Sequence, residues 1–570
     1  MGVLTPPAPR AVRLPAVDAR AVVRAVTGVV FLLVVGYLVL VPLVQLQLRA
    51  VNSPADDGFA AAFGRPEFGR IVANTVGLAA GSLVIGLVLG TVLAWAASRL
   101  PHRLRFLALL PVLPIVVPAI ASIAGWTFLL APVPGYLNAI LRLLPWWSGR
   151  TEGPINIYSI TWIVILTGFG LTSFVYLFVR AALANISADH LEAAAVSGSS
   201  SLGVFLRVTL PLLRPALLYG GGVALLLGLG QFTAPLLLGT NQGVTVLTTD
   251  LYNQVTATPV HTGMAAAIGT PLLVFGVLVV AIQKVGLGDE RRFVTHGGKG
   301  FRAPLRPSRL AAWVIVLYAV VAVVLPILGL IALAMSRFWS SRIDVTKWSF
   351  ANFTTIFNDG RTPEAIGNSL LYAVVAAAIV LPVGFLAASL ILRRRRHRLV
   401  APLLDVVVAL PLGVPAVLFG VGFLLAYSTG PLVLYGTPWV MVLVYVTLML
   451  PFATRMQMAA LLALGDSYQE ASRTSGAGPV RTTLGIVVPM LRSSLGGAAA
   501  LIFVLLTHEF TASVLVRSIH TNVMGTVLFD YWSSGNYPVV AAVALIMTVV
   551  TTAGVALALL VGGADSFGRM

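Results

Sequence analysis

The chain has 570 residues, 58% hydrophobic and 10% charged, with a net charge of +18. Soluble domains carry about 25% charged residues, so a water-soluble globule is excluded: too little charge is available to cover its surface. There is no cysteine, which excludes disulfides, thiolate metal sites and thiol nucleophiles.

Residues 1–25 form a Pro/Ala/Arg-rich tail. Four arginines (Arg10, Arg13, Arg20, Arg24) precede a hydrophobic run that starts near Val29. That run lacks a small-residue cleavage site and is followed by many more, so it is a membrane anchor rather than a removed signal peptide. Apolar runs follow near 26–48, 71–97, 105–130, 157–181, 214–238, 262–283, 311–335, 366–392, 401–427, 437–462, 493–516 and 538–561. Each has about 20 residues or more, enough to cross a bilayer core as a helix. None shows the ten-residue alternation of a barrel strand. The expected fold is an all-α polytopic membrane protein of about 12 helices.

Lys and Arg set the orientation. They gather in the N-terminal tail, in 98–106, in the linker 284–310 and in the Arg393–Arg398 run. These connections belong inside, and both termini are cytoplasmic. A solvated inner loop accounts for the Arg393–Arg398 run, so no nucleic-acid partner is expected.

The chain repeats itself. Glu192–Leu217 recurs as Glu470–Leu495 at an offset of 278, with nine identities in 26 positions. In each copy a Glu-Ala pair (Glu192-Ala193, Glu470-Ala471) is followed by Gly198 or Gly476 and then by Pro211 or Pro489. Other stretches match too. Ala73-Asn74-Thr75 resembles Gly367-Asn368-Ser369, Leu113–Ala119 resembles Leu410–Ala416, and Gln231-Phe232-Thr233-Ala234 matches Glu509-Phe510-Thr511-Ala512. The organisation is therefore 1–25 tail, 26–283 first transmembrane repeat, 284–310 linker, 311–562 second repeat and 563–570 tail. Six spans per half make the repeats parallel, related about the membrane normal.

The Glu-Ala stretch lies between the fourth and fifth spans of each half, on the cytoplasmic side. A good helix former ends at Gly198 or Gly476, and a second short helix runs to the proline, which is expected to open the next span. A plain connecting loop would not need this spacing twice.

This pattern, Glu-Ala-Ala, three residues, Gly, nine residues, then Ile-x-Leu-Pro, resembles the permeases of binding-protein-dependent ABC importers. Departures are Ser472, Val208 and Val488. The resemblance implies a type I importer permease fold. It also implies that Glu192, Ala193, Gly198, Pro211, Glu470, Ala471, Gly476 and Pro489 form two coupling elbows, each seated on an ATPase subunit. The chain has no Gly-x-x-x-x-Gly-Lys-Ser/Thr loop, and Gly297-Gly298-Lys299-Gly300 lacks the spacing. Two copies of a separate ABC ATPase are thus expected, carrying the ATP and Mg; no cofactor and no metal are expected in this chain. The resemblance further implies an extracytoplasmic substrate-binding protein or lipoprotein that meets the parallel outer segments Leu247–Asn253 and Gly525–Tyr531, matched at the same offset of 278.

Glu509 lies within the expected eleventh span, beside His508, and Gln231 holds the matching place. A carboxylate at that depth faces a bundle interior or a watery path. Gln231, Thr233, Glu509 and Thr511 are the candidate lining of a gate; interhelical hydrogen bonding is the plainer reading of the same residues. An ion-coupled secondary transporter is the alternative, but it would need several mid-membrane carboxylates. The phrases around Glu509 and Val246 look most like the ferric-iron branch of the permeases, with polyamine, thiamine and phosphonate permeases as near relatives.

Overall fold

The computed structural model describes residues 19–54, 57–184, 186, 193–194, 196–287, 307–393, 399–429, 432–465 and 467–562. Among them every regular element is helical. Eight helices are long and apolar enough to cross a membrane unbroken: Val26–Asn52, Phe68–Ser98, Ile160–Leu183, Thr262–Ile282, Arg309–Ala334, Arg361–Leu392, Pro438–Leu464 and Tyr537–Leu557. They supply spans 1, 2, 4, 6, 7, 8, 10 and 12.

The other four spans are bent pairs of helices; for the third and ninth this corrects the reading of each as one continuous helix. The third runs His102–Val116, turns 92° and continues as Ala119–Leu130. The ninth runs Val400–Gly413, turns 109° and continues as Ala416–Ser428. The break falls at the repeated Val-Pro in both. Val117 (ψ 123°) and Val414 (ψ 123°) are extended because a following proline crowds the helical conformation. Pro118 and Pro415 then start the next limb. In the fifth and eleventh spans, short limbs Ser201–Leu212 and Pro479–Met490 bend by 70° and 73° into Arg214–Leu229 and Arg492–Thr507.

Within each half, spans 2 and 4 (or 8 and 10) pack along their lengths, and span 5 (or 11) lies against both. Across the halves the contacts are exchanged. The first span packs on both limbs of the ninth, and the seventh packs on both limbs of the third. Glycine makes each exchange possible. A Cβ at Gly422 would stand 2.7 Å from the Pro42 carbonyl oxygen, and one at Gly125 would stand 2.3 Å from that of Pro326. Without a hydrophobic drive between helices in lipid, such close backbone approach is a main source of association. Outward-facing residues such as Val30, Leu33, Val34, Leu310, Trp313 and Leu317 are exposed and apolar, as a lipid-facing surface requires.

Candidate functional site

The two elbows share their construction. In the second copy, helix Ser467–Thr474 stops at Gly476, whose φ is 78°. Ala477 N donates to Ser472 O (3.0 Å) and Ser475 N to Ala471 O (3.2 Å). In the first copy Gly198 has φ 83°, Ser199 N donates to Ala194 O (3.1 Å) and Ser197 N to Ala193 O (3.1 Å). A bond reaching back five residues over a left-handed glycine is a Schellman stop. Glycine adopts that φ without steric cost. Ala193 and Ala471 are exposed, as is Glu470 in the first turn of its helix, where its charge complements the helix dipole. Glu192 lies outside the described residues.

The second limbs also match. Each contains a π-helical turn, Phe205–Thr209 or Thr483–Val487, just ahead of Pro211 or Pro489. Proline donates no hydrogen bond and its ring crowds the carbonyl four residues back; widening the turn relieves both. This corrects the expectation for the prolines. Pro211 and Pro489 sit inside the short limb, and the long limbs begin at Arg214 and Arg492, past the bend. Ser472 and Thr482 share a hydroxyl hydrogen bond (2.8 Å) that ties the second elbow together. Their counterparts Ala194 and Val204 belong to one apolar cluster, so the same joint is greasy in the first copy. Leu202 and Leu206, and at the same offset Val480 and Leu484, are exposed on the short limbs.

The other repeated site lies where spans 5 and 11 end. Each long limb has 16 residues, about 24 Å, which carries its end into the outer part of a ~30 Å hydrocarbon core. Gln231 and Glu509 follow directly. Neither sits on a helix flank, contrary to the expectation of a carboxylate inside a continuous span. Glu509 folds back as a cap, accepting from Ala512 N (2.8 Å), Ser513 N (3.0 Å) and Ser513 Oγ (2.5 Å). Ser513 Oγ also meets Tyr445 Oη (2.8 Å). Gln231 Oε1 accepts from Phe232 N (3.2 Å), and its Nε2 donates to Thr167 Oγ1 (3.2 Å). Thr167 and Tyr445 are themselves 278 apart. Free main-chain amides at a break within a membrane need such partners. Thr233 is buried, Thr511 half-buried.

Between the halves the breaks present a ring cluster. Phe232 stacks on Phe510 with centroids 5.8 Å apart; Tyr252 meets Phe232 (5.5 Å), Phe529 meets Phe510 (5.5 Å), and Tyr252 meets Phe529 (6.3 Å). Two rings come from each half. Phe232 and Phe510 are 1% and 4% exposed, so the cluster closes the space between them.

Tyr252 and Phe529 lie on the outer helices Leu247–Thr256 and Met524–Ser533. Their true offset is 277, one less than the sequence match used. Caps fix that register: Val246 N donates to Thr249 Oγ1 (3.1 Å), and Val523 N to Thr526 Oγ1 (3.0 Å). The second and eighth spans hold the same ends. Leu247 N donates to Thr75 Oγ1 (2.9 Å) and Met524 N to Ser369 Oγ (2.8 Å); Asn74 Nδ2 donates to Thr245 O (3.0 Å) and Asn368 Nδ2 to Asn522 O (3.0 Å). The Asn-Thr and Asn-Ser pairs were visible as repeats but carried no role in the sequence. Arginine pairs complete the outer clamps, Arg65 with Asp250 and Arg517 with Asp530 (2.7 Å).

Residues 82–285 and 380–563 both match the family described as binding-protein-dependent transport system inner membrane component. The chain belongs to this family. It is a multi-pass inner-membrane permease subunit of an ABC importer, with the family's domain present twice, and the secondary-transporter alternative falls away. It is 26% identical to a ferric transport system permease protein of Actinobacillus pleuropneumoniae, over 85% of this chain and 70% of the relative. A probable ABC transporter permease protein of Sinorhizobium fredii is 27% identical over 87% of each chain. A molybdenum transport system permease protein of Mycobacterium tuberculosis is 32% identical over 46% of this chain and 91% of the relative. One chain of a crystal structure of a bacterial alginate ABC transporter, solved with an alginate-pentasaccharide-bound periplasmic protein, aligns with 49% of this permease and 98% of its own length, at 21% identity and a TM-score of 0.39.

Proposed function

We propose that this permease imports its solute by alternating access, driven by two copies of a separate ABC ATPase seated on the two elbows. The duplicated, glycine-stopped elbow is the observation that carries the reading. Each elbow is a rigid bent lever joined through one bend to the long limb of span 5 or 11, and each limb ends at the aromatic closure. Closing the ATPase pair would move both levers together and part the rings, a rigid-body switch between two packed states. Glu192, Ala193, Gly198 and Pro211, with Glu470, Ala471, Gly476 and Pro489, form the coupling surface. Gln231, Thr233, Glu509 and Thr511 line the path or gate, and the side chains of Gln231 and Glu509 also bond the main chain at the two breaks. ATP and Mg would be held by the ATPase subunits, since this sequence carries no phosphate loop.

An extracytoplasmic binding protein or lipoprotein would deliver solute to the outer helices. Ferric iron is the favoured solute: two relatives named for ferric transport each align with 80% or more of this chain. Relatives named for thiamine, molybdenum and spermidine/putrescine transport align with less of it; these solutes and phosphonates are the alternatives. Two experiments test the reading. An ATPase should co-purify with the wild-type chain and be lost from the Glu192→Ala/Glu470→Ala double variant; a double variant that assembles and transports normally overturns the coupling role. A ligand screen on the binding protein should select ferric ion, and selection of an organic cation or anion would replace it.

A further inference from the structure

The halves meet along two seams, one on each side of the aromatic closure. At one the third span lies against the seventh and twelfth; at the other the ninth lies against the first and sixth. The first of these seams carries a second ring cluster near its outer side. Phe128, at the outer end of the third span, meets Trp339 (5.1 Å), Trp532 (6.2 Å) and Tyr537 (6.2 Å). Tyr537 also meets Trp339 (5.0 Å) and Trp532 (5.4 Å). Phe128 comes from the first half and is fully buried; the other three rings come from the second.

The opposite seam has no matching cluster. The repeated Val-Pro breaks place Leu425 where Phe128 stands, the outer-helix register places Val255 at Trp532, and the offset of 278 places Pro259 at Tyr537. None of these is a ring. Packing differs in the same sense: the twelfth span packs along the outer limb of the third, while the sixth makes little contact with the outer limb of the ninth. The exchanged spans do not offset this, because the Gly125–Pro326 and Gly422–Pro42 approaches hold them alike at both seams.

The second outer helix joins the two clusters. Phe529 and Trp532 lie three residues apart on Met524–Ser533, so they are neighbours on one helix. Phe529 enters the central closure and Trp532 enters the seam. Parting the halves on the outer side would separate two ring pairs at the centre, Phe232–Phe510 and Tyr252–Phe529. At the aromatic seam it would separate three, whether Trp339 moves with the third span or with the twelfth. Each such pair adds attraction beyond the area it buries. Resistance to parting therefore rises from the ninth-span seam, through the centre, to the Phe128 seam.

We propose that the permease opens outward asymmetrically, hinging on the Phe128, Trp339, Trp532 and Tyr537 cluster, which stays packed while the ninth-span seam and the central closure part. This hinge presupposes the alternating access proposed above.

The chain has no cysteine, so pairs of spin labels can be placed at will. The test uses the full-length chain in nanodiscs with its ATPase and binding protein. Val133→Cys/Ser534→Cys reports on the aromatic seam and Val433→Cys/Thr256→Cys on the other; all four positions are exposed. Distances are read by pulsed electron paramagnetic resonance without nucleotide and after trapping with ATP and vanadate. The 433–256 distance should lengthen on trapping while the 133–534 distance stays put. Adding Trp532→Ala should let the 133–534 distance lengthen too, and Trp532→Phe, which keeps a ring, should hold it. Equal lengthening at both seams of the otherwise wild-type chain, or lengthening at 133–534 alone, overturns the hinge and leaves alternating access standing. A 133–534 distance indifferent to Trp532→Ala removes the rings as its cause. No change at either seam overturns alternating access itself, and the hinge with it.

Discussion

Glu509 shows how one residue reads differently once its neighbours are in place. In the sequence it is a carboxylate in an oily run; in the fold it is the cap of a broken span. Capping carboxylates contribute about 1–2 kcal/mol, so Glu509→Ala should lower the unfolding temperature and impair transport together. Glu509→Gln recreates the chemistry of Gln231 and should keep most of both. Thermal unfolding in detergent and uptake in proteoliposomes separate these outcomes; a silent Glu509→Ala would remove the cap from the argument. Gly476 is a second case. No atom lies within 4 Å of a Cβ built there, so Gly476→Val costs only backbone strain, about 1–2 kcal/mol for a left-handed residue. The chain should stay folded while co-purification with the ATPase falls, because the elbow changes direction. An unchanged ATPase yield would mean that the stop does not set the docking surface.

At the scale of elements, the aromatic closure and the caps that aim it form one device. Spans 2 and 8 hold the outer helices by their first amides, and the outer helices carry Tyr252 and Phe529 into the ring cluster. Aromatic pairs of this kind are worth about 0.5–1.5 kcal/mol beyond area. Phe232→Ala with Phe510→Ala should therefore loosen the closed state. Solute should leak through ATPase-free proteoliposomes carrying the double variant, with the single variants in between. Leak equal to wild type would place the seal elsewhere. Arg65 and Asp250 bear on the same device. Asp250 is almost wholly buried against the Arg65 guanidinium, and this hydrogen bond holds the Arg65 pKa above its usual value. Removing one partner of such a pair costs about 3–5 kcal/mol, so Arg65→Ala should destabilise the first outer helix, seen as faster amide exchange across 247–256.

For the whole molecule, the exchanged spans decide assembly. The first span belongs by sequence to one half but packs on both limbs of the ninth span of the other as well as on its own sixth span. Gly422→Leu would drive a side chain into the Pro42 carbonyl; overpacking costs about 1–3 kcal/mol where neighbours can shift, and more against backbone. Folded yield should drop sharply, with Gly125→Leu behaving alike. A monodisperse, active Gly422→Leu variant would show that the halves tolerate separation there.

Much of this was legible in the chain. Span number, helical class and orientation follow from apolar length and the placement of Lys and Arg, because the bilayer punishes any other arrangement. The duplicated elbow followed from residue spacing alone, since its stop depends on local backbone geometry at Gly198 and Gly476. The breaks at Val117 and Val414 could have been read from their prolines, but an apolar run hides a bend that keeps the same composition. Three features required the folded chain: the capping of Glu509, the one-residue shift that pairs Tyr252 with Phe529, and the exchange of the first and seventh spans. The last two depend on residues distant in sequence meeting; the first depends on the helix stopping at Thr507, which lets Glu509 reach the amides of Ala512 and Ser513. Hydropathy, which sees only what a residue prefers as solvent, carries no record of either.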